Sequence, residues 1–153
     1  MANTYNQIFI HLVFAVKGRI SLIMPQWKEN LYKYISGIIT TQKHKLYAIG
    51  GMPDHIHILV SMSPDQSISD LVRNIKRSSS LWINENHFVL GRFSWQDGYG
   101  AFSTNLATTD KVVNYILNQE QHHHKTTFQE EYIAFLKEAG IDYDPKYLFS
   151  PID

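Results

Sequence analysis

Hydrophobic residues recur along this chain in two rhythms. Residues 8–16 (IFIHLVFAV) form a nearly continuous apolar run rich in β-branched and aromatic side chains, the pattern of a central strand covered on both faces. Lys17-Gly18-Arg19 ends that run. From Pro25 to about Lys43 the period lengthens: Trp27, Leu31, Tyr34, Ile35, Ile38 and Ile39 are spaced to give a helix one apolar face. Residues 46–49 read as a short strand, Gly50-Gly51-Met52-Pro53 as a turn, and residues 56–62 as the next strand. Ile68, Leu71, Val72, Ile75, Leu81 and Trp82 line a second helix that runs to about Asn86, with Ser67 or Asp65 as its N-cap.

Residues 88–94 carry no clear period. Trp95-Gln96-Asp97-Gly98-Tyr99-Gly100 reads as a turn into a strand over 101–104. Thr108-Thr109-Asp110 caps a third helix whose apolar side carries Val112, Val113, Ile116 and Leu117; a fourth spans 128–139, with Gly140 where a capping glycine belongs. The order is β-α-β-β-α-β-α-α, and the second and third strands form a hairpin. This predicts an α+β, ferredoxin-like split β-α-β fold: an antiparallel sheet, helices on one face and extra C-terminal helices. At 153 residues with no repeat or linker, 1–153 is expected to be one domain.

Composition narrows the chemistry. The chain has no cysteine, which excludes disulfides, zinc-thiolate sites and thiol nucleophiles. The formal net charge is zero, so nucleic-acid binding requires a local patch rather than a global basic excess. No apolar run approaches a membrane span, and the first residues lack a basic targeting region, so no membrane contact and a cytoplasmic location are expected.

The strand after the Gly-Gly turn opens Asp54-His55-Ile56-His57-Ile58. Alternate residues of a strand share a face, so His55 and His57 stand side by side, opposite Ile56 and Ile58. Two imidazoles so placed suit a metal ion or a phosphate, and equally suit ordinary hydrogen bonding. A histidine-triad nucleotide hydrolase needs a third histidine where this chain has Leu59, and a 2H phosphoesterase needs two His-x-Thr/Ser motifs, which are absent. His11 lies inside the first apolar run and reads as structural. Tyr115 falls at the edge of the third helix's apolar stripe, one turn before Gln119; either packing or a hydroxyl aimed beside the sheet fits. Arg73, Lys76 and Arg77 share one helical face followed by Ser78-Ser79-Ser80, and Lys17 and Arg19 extend the patch. These groups suit backbone phosphates or form a solvated face. His122-His123-His124 diverge around a helix and read as a polar helix end.

Together, Met52-Pro53-Asp54-His55-Ile56-His57, the segment from Ile75 to Ile83, Trp95-Gln96-Asp97-Gly98-Tyr99 and Tyr115-Ile116-Leu117-Asn118-Gln119 resemble the single-tyrosine HUH transposases of the smallest bacterial insertion sequences and their REP-associated relatives. The resemblance spans nearly the whole chain; Gly18 departs from it, where many relatives carry an aromatic. It implies that His55 and His57, with Gln119, hold a divalent metal ion (Mg2+ or Mn2+), and that Tyr115 is the nucleophile. It implies cutting and rejoining of single-stranded DNA with hairpin ends through a 5′-phosphotyrosine, with Lys17, Arg19, Arg73, Lys76 and Arg77 on the DNA backbone. It also implies a homodimer whose active sites can be composite. The other class that fits the residues is a ferredoxin-like nucleic-acid-binding protein without catalysis.

Overall fold

The structure is a computed structural model and describes residues 4–122 and 127–144. Its first strand, β1 (Phe9–Ala15), is buried along its whole length, as its unbroken apolar run requires. A 3-10 turn at Lys17–Arg19 follows, and helix α1 (Pro25–Thr41) begins with a proline in its first turn, where the missing N–H costs nothing. Strands β2 (Lys45–Met52) and β3 (His55–Ser61) form the hairpin, and α2 (Ile68–Glu85) starts at Ser67, whose side chain accepts from the Asp70 N–H. After β4 (Gly100–Thr104) come α3 (Thr109–Leu117), the four-residue α4 (Gln119–His122) and α5 (Phe128–Glu138).

The four strands are antiparallel in the order β2-β3-β1-β4, the order of the ferredoxin-like split β-α-β unit. The two faces of β1 do different work. Ile10, Leu12 and Phe14, with Ile56, Ile58 and Val60 of β3, join α1 and α2 in the main core. The alternate residues Phe9, Val13, Ala15 and Leu59 meet α3 and α5, through Ile116 and Phe128. The C-terminal helices therefore cover the second face, and this explains why β1 is apolar on both sides.

Small differences from the sequence reading have local causes. β2 continues through Gly50 and Gly51, so these glycines pair with β3 rather than forming the turn. A Cβ on Gly50 would collide with the Ile116 carbonyl, and one on Gly51 with the His55 carbonyl; glycine lets α3 lie directly on the hairpin. Leu117 is 61% exposed, because the short α3 buries only Ile116 fully among its apolar residues. Tyr32, rather than Tyr34, is buried on α1, while Tyr34 stacks on Trp82. Residues 88–94 form no strand or helix, although Phe93 is buried, and Trp95 bridges to Val16. His123, His124 and the side chain of His122 lie outside the described residues.

Candidate active site

His55 and His57 lie on the sheet face turned toward α3 and α5, and both are fully buried. Across the register Ala15 pairs with His55 and Val13 with His57, which makes His11 the diagonal neighbour of His57 on that face. His11 Nε2 lies 2.8 Å from His57 Nδ1. Burial, and secondly His57, lower the His11 pKa to about 3. His11 is therefore neutral, and its Nε2 can accept from His57, which leaves the Nε2 of His57 facing the site. His55 is held in the same way: its Nδ1 donates to Asp54 Oδ1 at 2.7 Å, and its Nε2 points inward. Burial pulls the His55 pKa down, but the hydrogen bonds and charges of Asp54 and Glu131 outweigh it and leave it raised.

Glu131 closes the group. It is 3% exposed, and its Oε1 lies 2.8 Å from His57 Nε2 and 3.4 Å from His55 Nε2. α5 delivers it there: Thr127 caps the helix by accepting from the Glu130 N–H, which sets Glu131 in the first turn, where the helix dipole favours a carboxylate. Phe128, one turn earlier on the same side, stacks on His55 with ring centroids 4.3 Å apart.

Tyr115 comes to the same carboxylate. Its hydroxyl donates to Glu131 Oε2, and its ring stands edge-on to His57 with centroids 5.7 Å apart. Burial first, then Glu131, push the phenol above the ordinary tyrosine range. Gln119 is 1% exposed, with Oε1 3.4 Å from His55 Nε2. The chain leaves helical geometry at Asn118 between α3 and α4, yet Gln119 Nε2 still donates to the Tyr115 carbonyl at 3.0 Å, so the one-turn relation survives the break.

One ligand atom each from His55, His57 and Glu131 lie within 4.8 Å of one another. A divalent cation with ligand bonds near 2.1 Å sets adjacent donors about 3 Å apart, so the 2.8 and 3.4 Å spacings match such an ion. The donor set of two imidazoles and a carboxylate oxygen, with the Gln119 amide oxygen beside it, fits a divalent metal.

The five basic residues separate. Lys17, Arg19 and Lys76 gather near the end of β1 that adjoins His55, and Gln129 of α5, with its amide oxygen turned inward, accepts from the Arg19 guanidinium. The Lys76 ammonium donates to the carbonyls of Gln96 (2.8 Å) and Gly98 (2.6 Å), so it ties the loop before β4 to α2 rather than standing free on a solvated face. Arg73 is exposed and pairs with Asp70, and Arg77 is exposed one turn on; both ride on α2, across the sheet from the histidines.

Residues 4–119 match the family described as "Transposase IS200 like". The ISDra2 transposase TnpA of Deinococcus radiodurans is 25% identical over 118 residues, covering 74% of this chain and 84% of that protein. A solved structure from Deinococcus radiodurans R1, described as a transposase, superposes with a TM-score of 0.61 at 24% identity, covering 78% of this chain and 95% of the other. A REP-associated tyrosine transposase bound to a REP hairpin superposes with a TM-score of 0.57 at 18% identity, covering 76% and 68%. The two superpositions establish a shared fold. Glu131 and the rest of α5 lie beyond the residues matched by the family.

Proposed function

This chain belongs to the IS200-like transposase family, and from that premise we propose that it is a metal-dependent nickase and strand-transfer enzyme for single-stranded DNA. Tyr115 is its nucleophile, and His55, His57, Glu131 and Gln119 are its metal-binding residues. The observation that carries this reading is the convergence on Glu131: one carboxylate meets both imidazoles through one oxygen and the Tyr115 hydroxyl through the other.

His55, His57, Glu131 and Gln119 would hold a divalent cation, Mg2+ or Mn2+, whose positive charge would offset the negative charge that builds on the scissile phosphate. The chain's own residues do the rest. His11 and Asp54 fix the two imidazoles with their Nε2 atoms inward. The Tyr115 hydroxyl attacks the phosphorus, and Glu131 Oε2, which already accepts its hydrogen bond, is the base at hand for the proton. The P–O3′ bond breaks, and the 3′-oxygen leaves and takes up a proton. The product is a 5′-phosphotyrosine and a free 3′-hydroxyl. A second 3′-hydroxyl reverses the step and joins strands, since the ester conserves the bond.

The second face of the sheet is covered by α3 and α5, which argues against a non-catalytic domain that stacks bases on an open sheet. Lys17 and Arg19 are the cations placed for the strand beside His55, while Arg73 and Arg77 serve DNA flanking it, the hairpin included. Lys76 orders the adjoining loop. Joining two ends requires two cuts held together, which a homodimer in the cytoplasm supplies. Within one chain the Tyr115 ring stands edge-on to His57, so residues of a single chain bring the hydroxyl and the imidazoles together, and composite sites would reproduce that pairing across the dimer.

The test is incubation with Mn2+ and single-stranded DNA covering the element ends, followed by denaturing electrophoresis. The wild type forms a covalent protein–DNA band that chelation prevents, and Tyr115→Phe forms none while still binding DNA. A band of undiminished strength from Tyr115→Phe overturns the assignment.

A further inference from the structure

Beside the nucleophile, α3 and α5 diverge around a cavity of about 480 Å3. The rings of His11, Tyr115 and Phe135 line it, along with the aliphatic side chains of Val112 and Ala134. The charged groups of Lys111 and Glu138, both on exposed residues, and of the buried Glu131 complete the lining. The volume is within the range of pockets that take small organic ligands, and an apolar lining with a few polar groups is the usual composition of such pockets.

Its place in the fold decides what would enter. Tyr115 and Glu131 belong both to this cavity and to the site described above. A nucleotide whose phosphate lies at the Tyr115 hydroxyl therefore has its neighbours at the cavity mouth. Phe135 is fixed there by its own contacts: it stacks on Phe102 at 5.3 Å and meets His11 and Tyr115 edge-on at 5.2 and 5.7 Å. A rigid aromatic cluster is the kind of surface on which unpaired bases pack regardless of sequence. Lys111 provides a cation for the next phosphate, and the Glu138 carboxylate suits an exocyclic amine of a base rather than a second phosphate.

We propose that this α3–α5 cavity is a nucleobase subsite that holds, out of the stack, the base adjoining the scissile phosphate. The inference rests on the nickase reading and adds a specific binding role for α5, which lies outside the family-matched segment. A base seated in the cavity fixes the phosphodiester against Tyr115 and so sets the phosphate that is cut.

The experiment uses the full chain with Mn2+ and a pool of single-stranded DNA randomised across its centre. The captured 3′ fragments and the released 5′ fragments are both sequenced, which locates the cut and gives the bases on either side of it. A strand of captured sequence is then remade with an abasic residue at each position flanking that cut. Binding is followed by fluorescence anisotropy and capture by denaturing electrophoresis. One flanking abasic position should weaken binding and slow capture by about tenfold. Ala134→Trp, which fills the cavity from an exposed position of α5, should lose a similar factor on the intact strand and lose nothing more on the abasic one. Its melting temperature checks that it is folded, and Val112→Phe fills the same space from α3 as a second variant. Capture that is indifferent to every flanking abasic residue, or filled-cavity variants that bind and cut as the wild type does, would overturn the subsite while leaving the nickase intact. A wild type that captures no strand at all contradicts the nickase reading, and the subsite with it.

Discussion

Glu131 joins the imidazole pair to the Tyr115 hydroxyl, and no recognisable motif points to it. Its neighbours Glu130 and Tyr132 carry the same kinds of group, so nothing local singles it out. The clue available was positional: it lies three residues after Phe128 and four before Phe135, a charged residue on the inward stripe of its helix. A carboxylate is buried in that way only where partners compensate it. His11 was legible as a buried residue of β1, but its bond to His57 depends on the β1–β3 register, which the sequence does not state. Glu131→Gln keeps an oxygen donor and removes the charge. It should weaken Mn2+ binding by about 10–100-fold in titrations followed by electron paramagnetic resonance; unchanged affinity would remove Glu131 from the metal-binding set.

Lys76 makes a second prediction at this scale. Burial lowers its pKa to about 8, a pull that Asp97 opposes, while an unfolded lysine titrates near 10.5. Between those values the unfolded chain binds more protons, so stability from this residue rises as pH climbs from about 8 to 10.5. The neutral amine still has two N–H groups for the two carbonyls it meets. Urea unfolding of the wild type should gain on Lys76→Met over that interval, and a pH-independent difference would contradict the burial of the ammonium.

At the scale of elements, most of the architecture was written in periodicity. β1, the hairpin, α1 and α2 follow from apolar runs and three-to-four spacing, because each buries a full face. The break between α3 and α4 was not legible: Tyr115 and Gln119 keep helical spacing across Asn118, and only the backbone angles there separate the two helices. Nor did the sequence say which face the C-terminal helices cover, since that is decided by packing between distant segments. Gly50 is the point where one such contact can be tested. Its lack of a Cβ lets the Ile116 carbonyl approach β2, one residue from Tyr115. Gly50→Ala should destabilise the fold by about 1–3 kcal/mol in chemical unfolding and slow adduct formation by displacing α3. Unchanged stability would show that α3 does not sit tightly on the hairpin.

For the whole molecule, the site draws on β1, β3, α3, α4 and α5, so folding assembles it from segments more than a hundred residues apart in number, from His11 to Glu131. Among the described residues no helix is long and apolar enough to cross a membrane. A ligand that binds only the assembled site stabilises the whole fold by mass action. Mn2+ at a hundred times its dissociation constant should raise the melting temperature by roughly 5–10 °C. The double variant His55→Ala, His57→Ala should show no such shift; an equal shift there would place the ion elsewhere.

The central claim is that the Tyr115 oxygen bonds to DNA phosphorus. The most direct measurement is mass spectrometry of the covalent complex after nuclease and protease digestion. The account predicts a nucleotide whose 5′-phosphate is esterified to the Tyr115 side chain of its peptide. A nucleotide on another residue, or cut DNA with no linked peptide, would contradict it.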